Sequence, residues 1–122
     1  MHPVETAVRI EGGDGPCQDR VEIVARDDAV VFVLADGAGG MAGGARAAEL
    51  AVSLALAEAD RMPDERGWAG ALQRIDAALV EDRDSGETTC VVAVLRGDRV
   101  VGARVGAAGA RGVDRVRVAA LT

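Results

Sequence analysis

One segment restricts the fold more than any other, an apolar run that leads through a single aspartate into glycines. Residues 30–35 are all apolar, Asp36 follows, and residues 36–44 read DGAGGMAGG. A short run that is apolar at every position is typical of a strand buried on both faces. The glycines predict a loop, and the alanine- and leucine-rich residues 45–60 predict a helix after it.

The other segments predict one more helix and further strands. Residues 64–83 are expected to be helical, because apolar side chains recur there at i, i+4, i+7 and i+11. This stripe consists of Trp68, Leu72, Ile75 and Leu79. Residues 88–105 predict a hairpin whose two-residue turn, Gly97-Asp98, requires a positive φ at its first position. Residues 113–119 predict a further strand.

Together these elements predict the α+β class. Residues 21–35 should form another hairpin, since residues 21–25 alternate apolar and polar side chains. We expect an antiparallel β-sandwich flanked by α-helices, with the two hairpins in stacked sheets and the helices together on one sheet face. A chain of 122 residues is expected to be a single domain, residues 1–122.

Composition excludes several classes of function. The net charge of −6 argues against nucleic acid as a partner, because phosphate binding requires a basic surface. No run of 18 apolar residues is present, so no membrane span is expected, and the N-terminus lacks the pattern of a signal peptide. The expected location is the cytoplasm, where Cys17 and Cys90 would be reduced. His2 is the only histidine, which argues against a zinc site.

Asp36 and Gly37 are the candidate site residues at the end of the buried strand. A carboxylate on a rigid strand and the carbonyl of the next glycine form a pair of hard-oxygen ligands, suited to Mg²⁺ or Mn²⁺. Two other interpretations remain open. The glycines can serve turn geometry alone, or residues 37–42 can be the G-x-G-x-x-A loop of a nucleotide- or S-adenosylmethionine-binding domain. The latter requires a parallel strand ending in an acid after the helix, where this sequence predicts a second helix.

Several segments, taken in order, resemble the type 2C (PPM-type) metal-dependent serine/threonine protein phosphatases. That family has an acidic pair in an early loop, a hairpin ending in a motif like ADGMGG, a Gly-Thr-Thr strand and a segment like VGDSRA. The corresponding segments here are Gln18-Asp19, Ala35-Asp36-Gly37-Ala38-Gly39-Gly40, Gly86-Glu87-Thr88-Thr89 and Val105-Gly106-Ala107-Ala108-Gly109-Ala110. The resemblance covers residues 10–112.

The resemblance implies hydrolysis of phosphoserine or phosphothreonine in a phosphoprotein substrate by a metal-activated water. Two ions, Mn²⁺ or Mg²⁺, would be held in the complete family site. Asp36 would bridge them, Gly37 would offer its carbonyl, and Asp19 would help to hold the second ion. Thr88 and Thr89 would be strand residues beneath the site, and no catalytic residue beyond the metal ligands is implied.

The sequence also departs from the family pattern. Ala107 replaces the aspartate of the VGDSRA segment, and no arginine stands a few residues before Gln18-Asp19. The family's later metal-binding aspartates belong to an Asp-Gly and an Asp-Asn motif, which residues 1–122 do not include. The chain is therefore expected to be the N-terminal portion of the phosphatase domain. The alternative is a catalytically inactive binding or regulatory module of the same fold.

Overall fold

Five strands and two helices make up the described part of the chain. The computed structural model describes residues 19–26, 29–38, 43–61, 65–97, 99–108 and 116–121. The elements in chain order are β1 (Asp19–Arg26), β2 (Ala29–Ala38), α1 (Gly43–Ala59), α2 (Glu65–Glu81), β3 (Glu87–Arg96), β4 (Arg99–Ala108) and β5 (Val116–Leu121). Cys17, Gln18, Gly39 and Gly40 of the predicted loops lie outside the described residues.

The strands form one antiparallel sheet in the order β1-β2-β3-β4-β5. The predicted α+β class, with antiparallel strands flanked by helices, is confirmed. The placement of the two hairpins in separate stacked sheets is wrong for the described residues, because β2 pairs directly with β3 from Ala29–Arg96 to Ala38–Glu87. Hydrophobic alternation indicates which face of a strand is buried, but not which strand lies beside it.

Both helices cover the same face of the sheet. The strands contribute Val31, Val33, Cys90 and Val92 to the core, and α1 contributes a face of small side chains, Ala47, Ala48, Ala51 and Ala55. Alanines allow a helix to approach the sheet closely and keep the layers densely packed. The predicted stripe of α2 is confirmed, since Trp68, Leu72, Ile75 and Leu79 are all at most 1% exposed.

The opposite face of the sheet is only partly covered. Leu34 of β2 is 47% exposed and its cross-strand partner Val91 is 38% exposed. The prediction that residues 30–35 are buried on both faces is therefore wrong, because the helices cover one face alone. A strand whose two faces are both apolar gives the same sequence signal whether or not its second face is covered.

Two turns refine the sequence-based boundaries. Gly97 has a φ of 61°, and Arg96 pairs with Arg99 across it, which confirms the predicted hairpin turn. The predicted loop at Asp36 begins later, because β2 continues to Ala38 by pairing Gly37 with Thr88 and Ala38 with Glu87. Asp36 and Gly37 thus lie inside a strand. No helix among the described residues is long and apolar enough to cross a membrane.

Candidate metal centre at the end of strands β1 and β2

Two aspartates face each other across the β1–β2 hairpin. Asp19, the first residue of β1, is the direct cross-strand partner of Asp36 near the end of β2. Side chains of directly opposed residues lie on the same face, with Cβ atoms about 4.5–5.5 Å apart. The structure therefore brings together two of the three residues predicted for the site. Leu34 and Val21 are the next pair on that face, which is the one opposite the helices.

The third predicted residue, Gly37, follows Asp36 directly and has different surroundings. Gly37 is buried, whereas the Asp36 side chain is exposed. The cross-strand partner of Gly37 is Thr88, which is 1% exposed. The backbone of Gly37 is therefore paired with β3 and directly follows the Asp36 member of the acidic pair.

The proximity of Asp36 changes the pKa of Asp19. A hydrogen bond shared with the Asp36 carboxyl raises the pKa of Asp19 above its ordinary value, and partial desolvation and the charge of Asp36 act in the same direction. Arg20 opposes this rise, but as the smallest of the four influences. Two carboxylates this close repel each other when both are ionised, and either a shared proton or a bound cation relieves that repulsion.

Strand β3 supplies a polar contact to the site. The β2–β3 ladder keeps one register from the Leu34–Val91 pair to the Gly37–Thr88 pair, whereas the register of β3 against β4 shifts between Thr88 and Cys90. Between these two residues, Oγ1 of Thr89 accepts a hydrogen bond from the backbone N–H of Asp36 at 3.1 Å. The pairing of β2 with β3 thus places a hydroxyl at Asp36.

Sequence reasoning treated Thr88 and Thr89 alike, and the structure separates them. Thr88 is buried and its hydroxyl donates to the Thr89 carbonyl at 2.8 Å. Thr89 is exposed and holds the backbone of Asp36. The role of Thr89 depends on the pairing of β3 with β2, which two consecutive threonines do not reveal.

Arg20 is the other residue whose role the sequence did not indicate. Its Nη1 donates to the backbone carbonyl of Asp19 at 2.8 Å. Its Nη2 and Nε donate to Oε1 of Glu49 in α1 at 2.8 and 3.3 Å. A partner 29 residues away in a helix cannot be inferred from the spacing of charges along the chain.

The donor set offered by the described residues is small. Within these residues no group of three or more histidine, cysteine, aspartate or glutamate side chains converges on one point. The described donors at the corner are the two carboxylates of Asp19 and Asp36 and the backbone oxygens beside them.

An antiparallel sheet with two helices on one face defines an α+β domain, and the acidic pair lies at the end of its first hairpin. Residues 10–120 match the family model described as protein phosphatase 2C. The chain therefore belongs to the protein phosphatase 2C family. A search of curated protein sequences finds no significant match.

Solved structures with the same fold include bacterial phosphatases. An arginine-to-alanine variant of a bacterial serine phosphatase aligns over 88% of this chain and 64% of its own, with 17% identity and a TM-score of 0.75. RsbX in complex with magnesium aligns over 90% and 62%, with 14% identity and a TM-score of 0.67. PppA from Pseudomonas aeruginosa, a regulatory component of the type VI secretion system, aligns over 87% and 65%, with 19% identity and a TM-score of 0.57.

These likenesses establish the fold. The chain spans less than two thirds of the length of each of these solved chains. All the described strands are antiparallel to their neighbours, so the parallel sheet that the nucleotide-binding interpretation of residues 37–42 requires is not found among them.

Proposed function

We propose that the protein is a metal-dependent serine/threonine phosphatase, and that Asp19, Asp36 and Gly37 contribute to its metal site. The substrate would be a phosphoprotein carrying phosphoserine or phosphothreonine, and the metal would be Mn²⁺ or Mg²⁺. The single observation that supports this most strongly is the direct cross-strand pairing of Asp19 with Asp36. Membership of the protein phosphatase 2C family and the magnesium complex of RsbX agree with it.

The donors at this corner fit a hard divalent cation. Mg²⁺ and Mn²⁺ prefer carboxylate and carbonyl oxygens, and two opposed carboxylates with a following backbone carbonyl offer that chemistry. The raised pKa of Asp19 reflects two acids sharing one corner, a conflict that a cation between them removes. A bound divalent ion would supply Lewis-acid polarisation of the phosphoryl group and activation of water.

The protein's own residues hold and orient the donors in this proposal. Asp36 is held inside the sheet, because its backbone N–H is bound by Thr89 and Gly37 after it pairs with Thr88. Asp19 is held on β1 by pairing with Asp36 and by Arg20. Both carboxylates therefore have fixed backbones, and a phosphoryl group would approach from the face opposite the helices.

Metal binding and hydrolysis together test the proposal. Mn²⁺ titrated into the 122-residue chain should bind weakly, since two carboxylates balance little of the charge of two ions, and Asp36→Asn should abolish the binding. Glu22→Gln is the matched control, because Glu22 is exposed on the same strand as Asp19 but alternates to its opposite face. Equal Mn²⁺ binding by the wild type and by Asp36→Asn would place the metal elsewhere.

Activity gives the second arm of the test. The chain by itself should hydrolyse little p-nitrophenyl phosphate, because it offers two aspartates fewer than the family pattern. A longer protein that carries this chain together with Asp-Gly and Asp-Asn motifs should hydrolyse it in the presence of Mn²⁺, and Asp36→Asn should abolish that activity. Strong hydrolysis by the short chain that survives Asp36→Asn would contradict the assignment.

A catalytically inactive binding or regulatory module is the second candidate. Ala107 favours it, since this residue of β4 stands where the VGDSRA pattern has a carboxylate. The two candidates differ in the longer protein, where the module would bind phosphoprotein without Mn²⁺-dependent release of phosphate.

A further inference from the structure

Arg20 links the acidic corner to helix α1. Its guanidinium donates to the carbonyl of Asp19 at 2.8 Å and to the Glu49 carboxylate of α1 at 2.8 and 3.3 Å. The side chain of Arg20 is one-third exposed, and that of Glu49 is 62% exposed. A planar guanidinium with several donors can hold a carbonyl and a carboxylate at fixed angles, whereas an ammonium cannot.

The contact with Arg20 matters because Asp19 lies at the end of its strand. Asp19 is the terminal residue of β1, and β1 lies at the edge of the described sheet, paired with β2. Strand ends at a sheet edge open more readily than central strands. Asp36, by contrast, lies on an inner strand between β1 and β3. Among the described strands, the corner therefore joins a carboxylate whose strand is paired on both sides to one whose strand is paired on one side, and Arg20 is an additional anchor for the latter.

We propose that Arg20, held by Glu49, is a positioning residue that fixes Asp19 opposite Asp36 for divalent-cation binding. The inference rests on the proposed function, since it assigns Arg20 a role at the same metal site. Arg20 acts through the backbone of Asp19 and through α1, without touching the cation.

A second ion pair, between β1 and the residue after α1, provides a matched control. Nε of Arg26 donates to Oδ1 of Asp60 at 2.8 Å, joining the other end of β1 to the residue that follows α1. Its side chains are 42% and 55% exposed, similar to those of Arg20 and Glu49. Exposed pairs of this kind contribute little to global stability. The two pairs therefore differ chiefly in their distance from the acidic corner.

Charge and position predict opposite effects on metal binding. Arg20 is a cation beside a cation site, so its charge alone weakens metal binding and its removal would tighten it. If Arg20 positions Asp19, its removal weakens binding. Arg20→Lys keeps the positive charge and loses the planar guanidinium, and Arg20→Gln loses both. The two variants therefore separate the effect of charge from that of positioning.

The experiment measures Mn²⁺ affinity by electron paramagnetic resonance and thermal stability in EDTA on the 122-residue chain. Arg20→Lys and Arg20→Gln should each weaken Mn²⁺ binding roughly tenfold, as loss of a supporting residue around a metal site does. Arg26→Lys and Arg26→Gln should leave the affinity unchanged. In EDTA all four variants should have similar melting temperatures.

Three outcomes would overturn the inference. Tighter binding by Arg20→Gln, with unchanged binding by Arg20→Lys, would reduce the role of Arg20 to charge. Equal losses of affinity in the Arg20 and Arg26 variants would make the effect one of general stability. Unchanged affinity in both Arg20 variants would exclude positioning. Failure of the proposed function gives a different result. The wild type would then bind no Mn²⁺, or Asp36→Asn would bind it as well as the wild type does.

Discussion

The backbone N–H of Asp36 donates its hydrogen bond to the side chain of Thr89, with 3.1 Å between N and Oγ1. A neighbouring strand would ordinarily offer a carbonyl there, and Thr89 of β3 offers its hydroxyl instead. A side-chain oxygen therefore helps to hold the backbone of one of the two paired carboxylates.

Thr89→Val should remove that acceptor while keeping the β-branched shape. We expect a loss of about 0.5–1.5 kcal/mol in the free energy of unfolding, since a net hydrogen bond contributes that much. Mn²⁺ binding should weaken at the same time. Thr89→Ser keeps the hydroxyl and is the control. Urea denaturation and metal titration measure the two effects, and identical behaviour of the valine and serine variants would show that the hydroxyl is not needed.

Leu72 lies at the centre of the contact between α2 and the sheet and is 0% exposed. Leu72→Ala should cost about 2–5 kcal/mol, because truncation removes buried apolar surface and leaves a cavity. The matched control is Val80→Ala in the same helix, since Val80 is 51% exposed. Denaturant unfolding measures both variants, and a cost below that of Val80→Ala would contradict the assigned packing.

Two glycines should respond oppositely to alanine. A Cβ on Gly43, the first residue of α1, would lie 3.2 Å from the backbone nitrogen of Gly86, which donates to the Gly43 carbonyl at 2.8 Å. Gly43→Ala should therefore cost about 1–3 kcal/mol through overpacking. Inside α2, a Cβ on Gly70 would meet only the flexible end of Arg74, at 3.3 Å.

Gly70→Ala should therefore stabilise the protein by about 0.5–1 kcal/mol, because alanine restricts the unfolded chain and favours helix. Thermal unfolding of the two variants under one set of conditions is the measurement. Stabilisation by both substitutions would mean that the Gly43–Gly86 contact yields without cost.

Cys90 should be chemically inert in the folded protein. Burial raises the pKa of the Cys90 thiol from 9.0 to about 12, because the thiolate loses its hydration. In a Cys17→Ser background, iodoacetamide should modify Cys90 only after unfolding. The raised pKa contributes stability that is present below pH 9 and is lost as the pH rises towards 12. Rapid modification of the native protein at neutral pH would contradict this.

The sequence predicted the parts of the fold that depend on local patterns. The spacing of Trp68, Leu72 and Ile75 defines an amphipathic helix wherever that helix packs, and Gly97 with Asp98 defines a tight turn. It could not predict that β2 pairs with β3, because that choice depends on the surfaces of both hairpins and of the helices between them.

The residues of the candidate site also differ in whether the sequence could predict them. Asp36 could be identified because it ends an apolar run before glycines, and Asp19 because of the family resemblance. Their direct opposition depends on the register of β1 against β2, which the sequence left open. Arg20 acquires its role from a helix, and Thr89 from a strand pairing, that are distant in sequence.

Among the described strands β1 lies at the edge of the sheet, so the two carboxylates of the acidic pair lie on strands of unequal stability. Asp19 belongs to a strand with one described neighbour, and Asp36 to a strand with two. Local opening of β1 would separate the carboxylates while α1, α2 and the inner strands remained folded. Metal affinity would then be governed by the free energy of this partial opening, and it would fall on warming before the domain itself melts.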